Sequence, residues 1–161
     1  MKCRLSLRFT AFVTAALFWL QLNASAQSFT TFDPPGSAQT FALSINSAGQ
    51  ITGSYFDGAG FSHGFVRDAR GNFTSFDPWG AVFTIPASIN PAGEITGYYY
   101  DSVNVTHGFV RDARGTLTSF DPPGAVNAFT LGINPAGMII GYYVDGVGVA
   151  HGFVRSRDAR P

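Results

Sequence analysis

The sequence predicts an all-β fold made of three tandem units of 44 residues, and three observations support this prediction. Short motifs recur at a fixed spacing of 44 residues, with no insertion or deletion between them. After the first 26 residues, no stretch shows the apolar stripe of an amphipathic helix. A strict period of this length is typical of repeat proteins, in which each unit buries its apolar face against the next. The motifs are Phe-Asp-Pro from Phe32, Phe76 and Phe120, Ile-Asn from Ile45, Ile89 and Ile133, and His-Gly-Phe-Val-Arg from His63, His107 and His151.

Each unit contains four strand-like runs separated by turn residues. The units span residues 28–71, 72–115 and 116–159. The first run ends in Phe-Asp, the second leads into Ile-Asn, the third follows the asparagine turn, and the fourth carries His-Gly-Phe-Val-Arg. In unit order the first runs are Phe29–Asp33, Phe73–Asp77 and Leu117–Asp121, the second are Phe41–Ile45, Phe83–Ile89 and Phe129–Ile133, and the third are Gln50–Asp57, Glu94–Asp101 and Met138–Asp145.

The third run predicts a strand that is covered on both faces. One face carries Ile-Gly-Tyr in every unit, as at Ile95, Gly97 and Tyr99, and the opposite face is apolar or aromatic in part. A glycine in the middle of a strand favours close approach by another backbone or by a large ring. We therefore expect Tyr99 and its counterparts Tyr55 and Tyr143 to pack in the core between sheets.

The turns carry recognisable chemistry. Segment 90–93 (Asn-Pro-Ala-Gly) has the residue types of a type I turn, and related segments occupy 46–49 and 134–137. A hairpin tip separates the third run from the fourth in each unit. We expect the aspartates that open these tips to cap them rather than to bind calcium, because each tip offers one carboxylate; they are Asp57, Asp101 and Asp145.

Segment 33–36 (Asp-Pro-Pro-Gly) predicts a stiff, extended corner, because a second proline keeps the residue before it out of the helical region. Its counterparts begin at Asp77 and Asp121, and the middle copy carries Trp79 in place of the second proline. We expect the three aspartates to cap these corners through Asx-type turns. Trp79 is expected to be exposed.

The first 26 residues predict a signal peptide. Lys2, Arg4 and Arg8 form a positive beginning, an apolar stretch follows, and Ala-Ser-Ala ends at Ala26. The apolar stretch is shorter than the ~20 residues that a transmembrane helix needs. We expect cleavage near Ala26, a single β-repeat domain over residues 27–161 without a membrane anchor, and a secreted or periplasmic location.

The composition after cleavage disfavours nucleic acid as a partner. Residues 27–161 contain seven arginines, no lysine and ten acidic residues, a formal net charge of −3. No basic stripe is present to neutralise phosphates. Cys3, the only cysteine, lies within the predicted signal peptide, so disulfide and thiol chemistry are not expected in the remaining chain.

The motif Ile-Asn-x-x-Gly-x-Ile-x-Gly, followed by a hairpin and His-Gly-Phe, resembles the extracellular HAF repeat family of bacteria. The resemblance covers all three units, although Gly64, Gly108 and Gly152 stand where the family's name has alanine. It implies a secreted bacterial repeat protein with propeller-like sheets. It implies no established activity and no catalytic residues.

Two architectures fit four strands per unit. The first is a set of β-propeller-like blades, for which about 40–45 residues per blade is common. The alternative is a β-trefoil, which closes as a monomer. Three blades are too few for a typical ring of about four to eight, so two chains could form a six-bladed ring as a homodimer, or the three units could form an open array.

The repeated histidines suggest a metal site, because threefold repetition could bring three imidazoles together. The structural alternative is that His63, His107 and His151 each hydrogen-bond neighbouring backbone, and it is favoured because a repeat copies its structural residues too. We therefore expect no metal and no cofactor. No catalytic residues are identified either, since a nucleophile elbow and a phosphate loop are both absent from the sequence.

Exposed aromatic side chains are the best candidates for ligand binding, because aromatic faces stack on sugars and anchor protein partners. The candidate residues are Trp79, Tyr98, Tyr100 and Tyr142. The sequence thus favours a secreted non-catalytic β-repeat protein that recognises a glycan or a protein. The alternative is a structural, self-assembling extracellular module, and a hydrolase is third.

Overall fold

A computed structural model of the protein describes residues 27–157, which contain eleven β-strands and no helix. The predicted signal peptide and its cleavage site lie outside the described residues. No helix in residues 27–157 is long and apolar enough to cross a membrane. The strands are β1 (Ser37–Ile45), β2 (Ile51–Asp57), β3 (Ser62–Arg67), β4 (Phe73–Phe76), β5 (Phe83–Ile89), β6 (Ile95–Tyr100), β7 (Thr106–Arg111), β8 (Leu117–Phe120), β9 (Ala125–Ile133), β10 (Ile139–Asp145) and β11 (Ala150–Arg155).

The all-β prediction is confirmed, and the strands form three successive antiparallel meanders within the compact unit that begins at Phe32. The first meander is β1–β4, the second is β5–β8 and the third is β9–β11. One parallel bridge between Ser62 and Phe83 joins the first two into a single sheet. In sequence order each meander packs on the previous one, with β5 against β1–β3 and β9 against β5–β7.

The first of the four predicted runs was wrong in one copy. Residues 73–76 and 117–120 form β4 and β8, but residues 29–32 have no regular structure. The reason is the available partner: β4 pairs with β3 and β8 pairs with β7, each the strand just before it. Within the described chain, no strand precedes residues 29–32.

The mid-strand glycines permit the close backbone approach that the sequence predicts. A Cβ atom on Gly97 would lie 2.1 Å from the carbonyl oxygen of Ile85 on the neighbouring strand. Gly53 and Gly141 stand in the same relation to Phe41 and Phe129. Any side chain at these positions would have to push two hydrogen-bonded strands apart.

The asparagine turns form as predicted and also connect the meanders. Gly93 N–H donates to the carbonyl of Asn90 at 3.0 Å, and the glycine has φ +81°. The Asn46 side chain donates to the Asn90 carbonyl at 3.0 Å, and the Asn90 side chain donates to the Asn134 carbonyl at 3.1 Å. These bonds form an asparagine ladder across the three meanders.

The proline corner differs from the prediction by one residue. The tight turn runs from Pro78 to Ala81, whose N–H donates to the Pro78 carbonyl at 3.1 Å, and Gly80 at its third position has φ +84°. A positive φ at that position is typical of a type II turn. Asp77 therefore precedes the turn instead of capping it, and the other two corners follow the same pattern.

The main buried cluster lies between the first and second meanders. Its centre is Ile95 and Phe109, both 0 % exposed, surrounded by Phe76, Ile89 and Tyr99. Phe76 comes from the first meander and the other four from the second. The second meander therefore completes its core with Phe76 of the first. The predicted core role is confirmed for Tyr99, which is 7 % exposed, but its counterparts Tyr55 and Tyr143 are only half-buried.

Candidate functional site

Seven aromatic rings lie in successive contact across the three meanders, and we call this set the aromatic row. Neighbouring ring centroids are 4.7–6.4 Å apart. This is the range in which edge-to-face and stacked aromatic pairs attract each other. In order, the rings belong to Phe41, Phe56, Phe83, Tyr100, Tyr98, Phe129 and Tyr142.

Strand geometry places these rings. Tyr98 and Tyr100 are two residues apart on β6, so both side chains leave the same face of the strand. Tyr98 reaches Phe129 of the third meander at 5.2 Å. Phe129 and Tyr142 face each other across the β9–β10 pair and stack at 4.7 Å with an interplanar angle of 16°. The row thus continues from one sheet to the next.

The aromatic row remains accessible to solvent. Phe41 at one end is 47 % exposed and Tyr142 at the other is 38 % exposed, while the five rings between them are half-buried. Burial raises the pKa of Tyr98, and the nearby hydroxyls of Tyr100 and Tyr142 raise it further. Three phenol groups therefore lie close together, and each offers an apolar ring and a hydroxyl that can donate or accept a hydrogen bond.

The structure brings three of the four sequence-predicted site residues together. Tyr98, Tyr100 and Tyr142 are all in the aromatic row. Trp79 is 96 % exposed in the turn between β4 and β5, and it makes no ring contact with described residues. Sequence reasoning missed the four phenylalanines. A usable signal was the spacing of Phe41 and Phe129, which occupy the same position two units apart.

Each histidine contacts aspartates rather than backbone, which corrects the expectation from the sequence. His63 Nδ1 lies 2.7 Å from Asp77 Oδ2, and its Nε2 lies 3.5 Å from Asp57 Oδ2. His107 repeats this with Asp121 at 2.7 Å and Asp101 at 3.6 Å. Asp77 and Asp121 therefore bind histidine and do not cap the corner.

His63 shows how these contacts affect protonation. Partial burial acts to lower its pKa, but the hydrogen bond and charge of Asp77, followed by those of Asp57, outweigh burial and leave the pKa raised. The pKa of His107 is raised for the same reasons. The prediction for the hairpin tips is confirmed, since Asp57 Oδ1 accepts hydrogen bonds from Ala59 N–H and Phe61 N–H at 2.9 Å.

The three imidazoles lie in separate meanders, because each histidine is part of its own copy of the fourth predicted run, which forms β3, β7 and β11. Within residues 27–157, no group of three or more histidine, cysteine or acidic side chains is arranged to hold a metal ion. The histidine–aspartate contacts tie the hairpin tip to the end of the meander's fourth strand.

A polar groove of about 330 Å³ lies between the second and third meanders. Its charged groups are largely engaged with the protein itself: Arg157 pairs with Glu94, and Glu94 accepts a hydrogen bond from Asn90. Asp112 accepts backbone hydrogen bonds from Arg114 and Thr116 in its own turn. The aromatic row is therefore the stronger candidate for ligand contact.

Comparisons with protein-family models, with curated proteins and with solved structures find no match to this chain.

Proposed function

We propose that the protein is a secreted, non-catalytic recognition module that binds glycans along the aromatic row. The observation that carries this proposal is the continuity of seven half-exposed rings across three meanders. Flat apolar ring faces match the C–H faces of sugars, and the tyrosine hydroxyls can bond to sugar hydroxyls. An extended row suits a chain of sugars better than a single one.

A non-catalytic role is supported by how the polar side chains are used. The described carboxylates at the hairpin tips accept backbone hydrogen bonds, as Asp101 does from Val103 and Val105. The histidines pair with aspartates that each unit repeats. Repeated, mutually satisfied polar groups fit a structural role.

The proposal also includes the fold family and the location. The meanders correspond to propeller-like blades, which is supported by the four antiparallel strands in sequence order of the first two meanders and by the open edge at β11 of the third. A trefoil is a weaker fit, because a trefoil closes on itself. The resemblance to the HAF repeat family and the predicted signal peptide support export from a bacterial cell.

The test is calorimetric titration with cello-, chito-, xylo- and malto-oligosaccharides. Replacing Tyr98 and Tyr100 together by alanine is expected to weaken binding at least about fivefold, since aromatic contacts contribute about 0.5–1.5 kcal/mol each beyond buried area. The matched control is Trp79→Ala, an aromatic residue outside the row. We expect its affinity to be unchanged.

Two results would contradict this function. One is the absence of heat with every oligosaccharide, and the other is wild-type affinity in the Tyr98→Ala, Tyr100→Ala protein. A loss confined to Trp79→Ala would place the site at the proline corner instead.

A second candidate function is a self-assembling structural module. The observation that favours it is the third meander, which has three strands where the first two have four. This leaves a strand edge available for pairing.

A further inference from the structure

The outer edge of β11 lacks the strand that covers its counterparts. In the first two meanders, β3 and β7 each pair with a fourth strand in one register, with Gly64 opposite Phe76 and Gly108 opposite Phe120. Among the described strands, β11 pairs with β10 alone. An exposed row of backbone donors and acceptors favours pairing with another strand.

Residues 29–32 have the chemistry of the missing strand. Their sequence is Phe-Thr-Thr-Phe, against Phe-Thr-Ser-Phe in β4 and Leu-Thr-Ser-Phe in β8. They have no regular structure here, and Phe29 is 90 % exposed. Within residues 27–157, a strand-like segment therefore lacks a partner strand, and β11 lacks the fourth strand that pairs with β3 and β7.

Phe32 packs in the same way as Phe76, the last residue of the fourth strand of the first meander. Its ring lies 6.4 Å from Phe65 and beneath the guanidinium of Arg67 at 5.0 Å. Phe76, the last residue of β4, makes the same contacts one meander later, with Phe109 at 6.1 Å and Arg111 at 5.0 Å. Each such phenylalanine thus packs on the meander that follows its own strand.

The histidine–aspartate pattern is also incomplete at both ends. His151 contacts Asp145 at 3.2 Å, but within the described residues it has no second aspartate of the kind that Asp77 and Asp121 provide. Asp33 holds the matching sequence position, is exposed, and forms no ion pair in the described chain. At the C-terminal end of the described chain, His151 therefore lacks a second carboxylate. At the N-terminal end, Asp33 supplies a carboxylate at the matching position.

The first and third meanders expose apolar side chains at positions that are buried between meanders in the interior of the fold. Ile45 is 65 % exposed, whereas its counterpart Ile89 is 6 % exposed. At the other end Ile140 is 54 % exposed, whereas Thr96 in the same position is fully buried. Val154 is 61 % exposed, whereas its counterpart Val66 packs against the core of the next meander. Each exposed end therefore presents one side of the interface that forms between the first and second meanders and again between the second and third.

From these five observations we propose that residues 29–32 of a second copy of this chain pair with β11 and complete the third meander. The expected register places Phe32 of one copy opposite Gly152 of the other, and Asp33 opposite His151. The contact is head-to-tail, and two such contacts close a dimer of six four-stranded meanders, within the range of about four to eight blades found in propellers. The inference rests on the second candidate function.

The test uses light scattering after size-exclusion chromatography, in the absence of any sugar. A donor variant replaces Thr30 and Thr31 by proline, which removes two backbone N–H groups from an exposed segment. An acceptor variant replaces Ile140 and Val154, both exposed, by glutamate. The wild-type chain is expected to be a dimer, and each variant alone is expected to be a monomer.

Mixing the two variants is the decisive step. The acceptor variant still has a normal segment 29–32, and the donor variant still has a normal β11, so one contact can form and a one-to-one complex is expected. The matched control replaces Thr30 and Thr31 by alanine, which keeps the N–H groups and should leave the dimer intact. A misfolded variant would fail in the mixture as well as alone.

The proposal is overturned if the wild-type chain stays monomeric at high concentration, if the proline variant remains a dimer, or if two variants that circular dichroism shows to be folded do not associate when mixed. Glycan binding is measured separately on Tyr98 and Tyr100. A wild-type chain that stays monomeric but binds glycan would reject only the second function, and a wild-type dimer that binds no glycan would reject only the first.

Discussion

The aspartates at the hairpin tips each use two oxygens for two tasks. One oxygen of Asp101 accepts backbone hydrogen bonds that close the tip, and the other faces His107. Accepting the hydrogen bond from Val105 N–H is the main cause that lowers the pKa of Asp101. The carboxylate therefore stays charged near neutral pH and can hold the imidazole. Its spacing of six residues from the histidine comes from the hairpin.

The raised pKa values of His63 and His107 predict a stability that depends on pH. An unfolded histidine titrates near pH ~6.5, so this contribution is fully present below that value and is lost as pH rises through the higher folded pKa. Urea denaturation from about pH 5.5 to about pH 9 measures the change, with the range set by the reference pKa. Replacing both histidines by glutamine should flatten the curve over this window.

An unchanged pH dependence in the glutamine variant would show that other groups cause it. The groups facing these two imidazoles are the carboxylates of Asp57, Asp77, Asp101 and Asp121. The carboxylates of Asp57 and Asp101 are expected to remain ionised throughout the same window, because backbone hydrogen bonds from Phe61 and Val105 lower their pKa values. The expected curve therefore reports the imidazoles.

In each meander, the first two strands pair with a break in register that lies beside a glycine. The pairing of β5 with β6 shifts register between Pro86 and Ser88, and Gly97 lies opposite Pro86. The same shift occurs beside Gly53 and Gly141 in the other meanders. A β-bulge at this position bends the strand and increases its twist. Glycine is required because the neighbouring carbonyl occupies the space of a side chain.

Replacing Gly97 by alanine is expected to lower the free energy of unfolding by about 3 kcal/mol, the upper end for overpacked interiors. The added methyl group would meet the Ile85 carbonyl, which is fixed in the strand. Urea denaturation measures the loss. The matched control is Gly58→Ala at a hairpin tip, where the added Cβ would have no heavy atom within 4 Å.

We expect Gly58→Ala to change stability by less than about 0.5 kcal/mol, as is usual for exposed positions. If Gly97→Ala cost no more than this control, the close approach of the two strands would not be required for the fold.

Residues 29–32 and 73–76 show that local sequence does not set strand formation here. Both are Phe-Thr-x-Phe segments, yet only the second is a strand. The second follows β3 across a short turn and finds its edge at once. Sequence propensity describes what fits a pleated surface, and a partner edge decides whether the strand forms.

The meanders hold together through polar ties as well as through apolar packing. Asn90 is 1 % exposed, and its side chain reaches both its own turn and the carbonyl of Asn134 in the next meander. Asn46 makes the corresponding link to Asn90. Short turns so joined restrict how far neighbouring sheets can rotate or separate. The asparagine ladder therefore helps the three meanders unfold as one unit.

Replacing Asn90 by alanine is expected to cost about 3 kcal/mol of stability, because several buried hydrogen bonds lose a partner at about 0.5–1.5 kcal/mol each. It removes bonds to Asn134, Glu94 and Ala92. The matched control is Asn134→Ala at the same position of the third meander, which loses one bond from Met138 N–H. Chemical denaturation of dilute monomer compares the two.

Asn134→Ala is expected to cost about 1 kcal/mol, the typical net value of one hydrogen bond. Equal losses in the two variants would argue that the ladder contributes nothing across the meanders, and that each asparagine acts only within its own turn.

The sequence was sufficient for the features that depend on neighbouring residues. The 44-residue period, the asparagine turns, the capped hairpin tips and the mid-strand glycines all follow from local steric and hydrogen-bonding rules. Three candidate tyrosines were also named from the sequence, because aromatic residues in excess of core needs stand out in a small domain. The contacts of these tyrosines with four phenylalanines could not be predicted from the sequence of one unit, because they depend on how the meanders stack.

Contacts between units required the folded chain. His63 meets an aspartate 14 residues away because β3 and β4 turn back on each other, and the aromatic row exists because successive meanders stack. The repeat predicts a strand at residues 29–32, but this segment pairs with no strand within residues 27–157, where β11 lacks the fourth strand that β3 and β7 have. The 44-residue period determines which side chains and turns each unit contains. The stacking of the meanders determines which of these side chains contact a neighbouring meander and which remain exposed at the two ends.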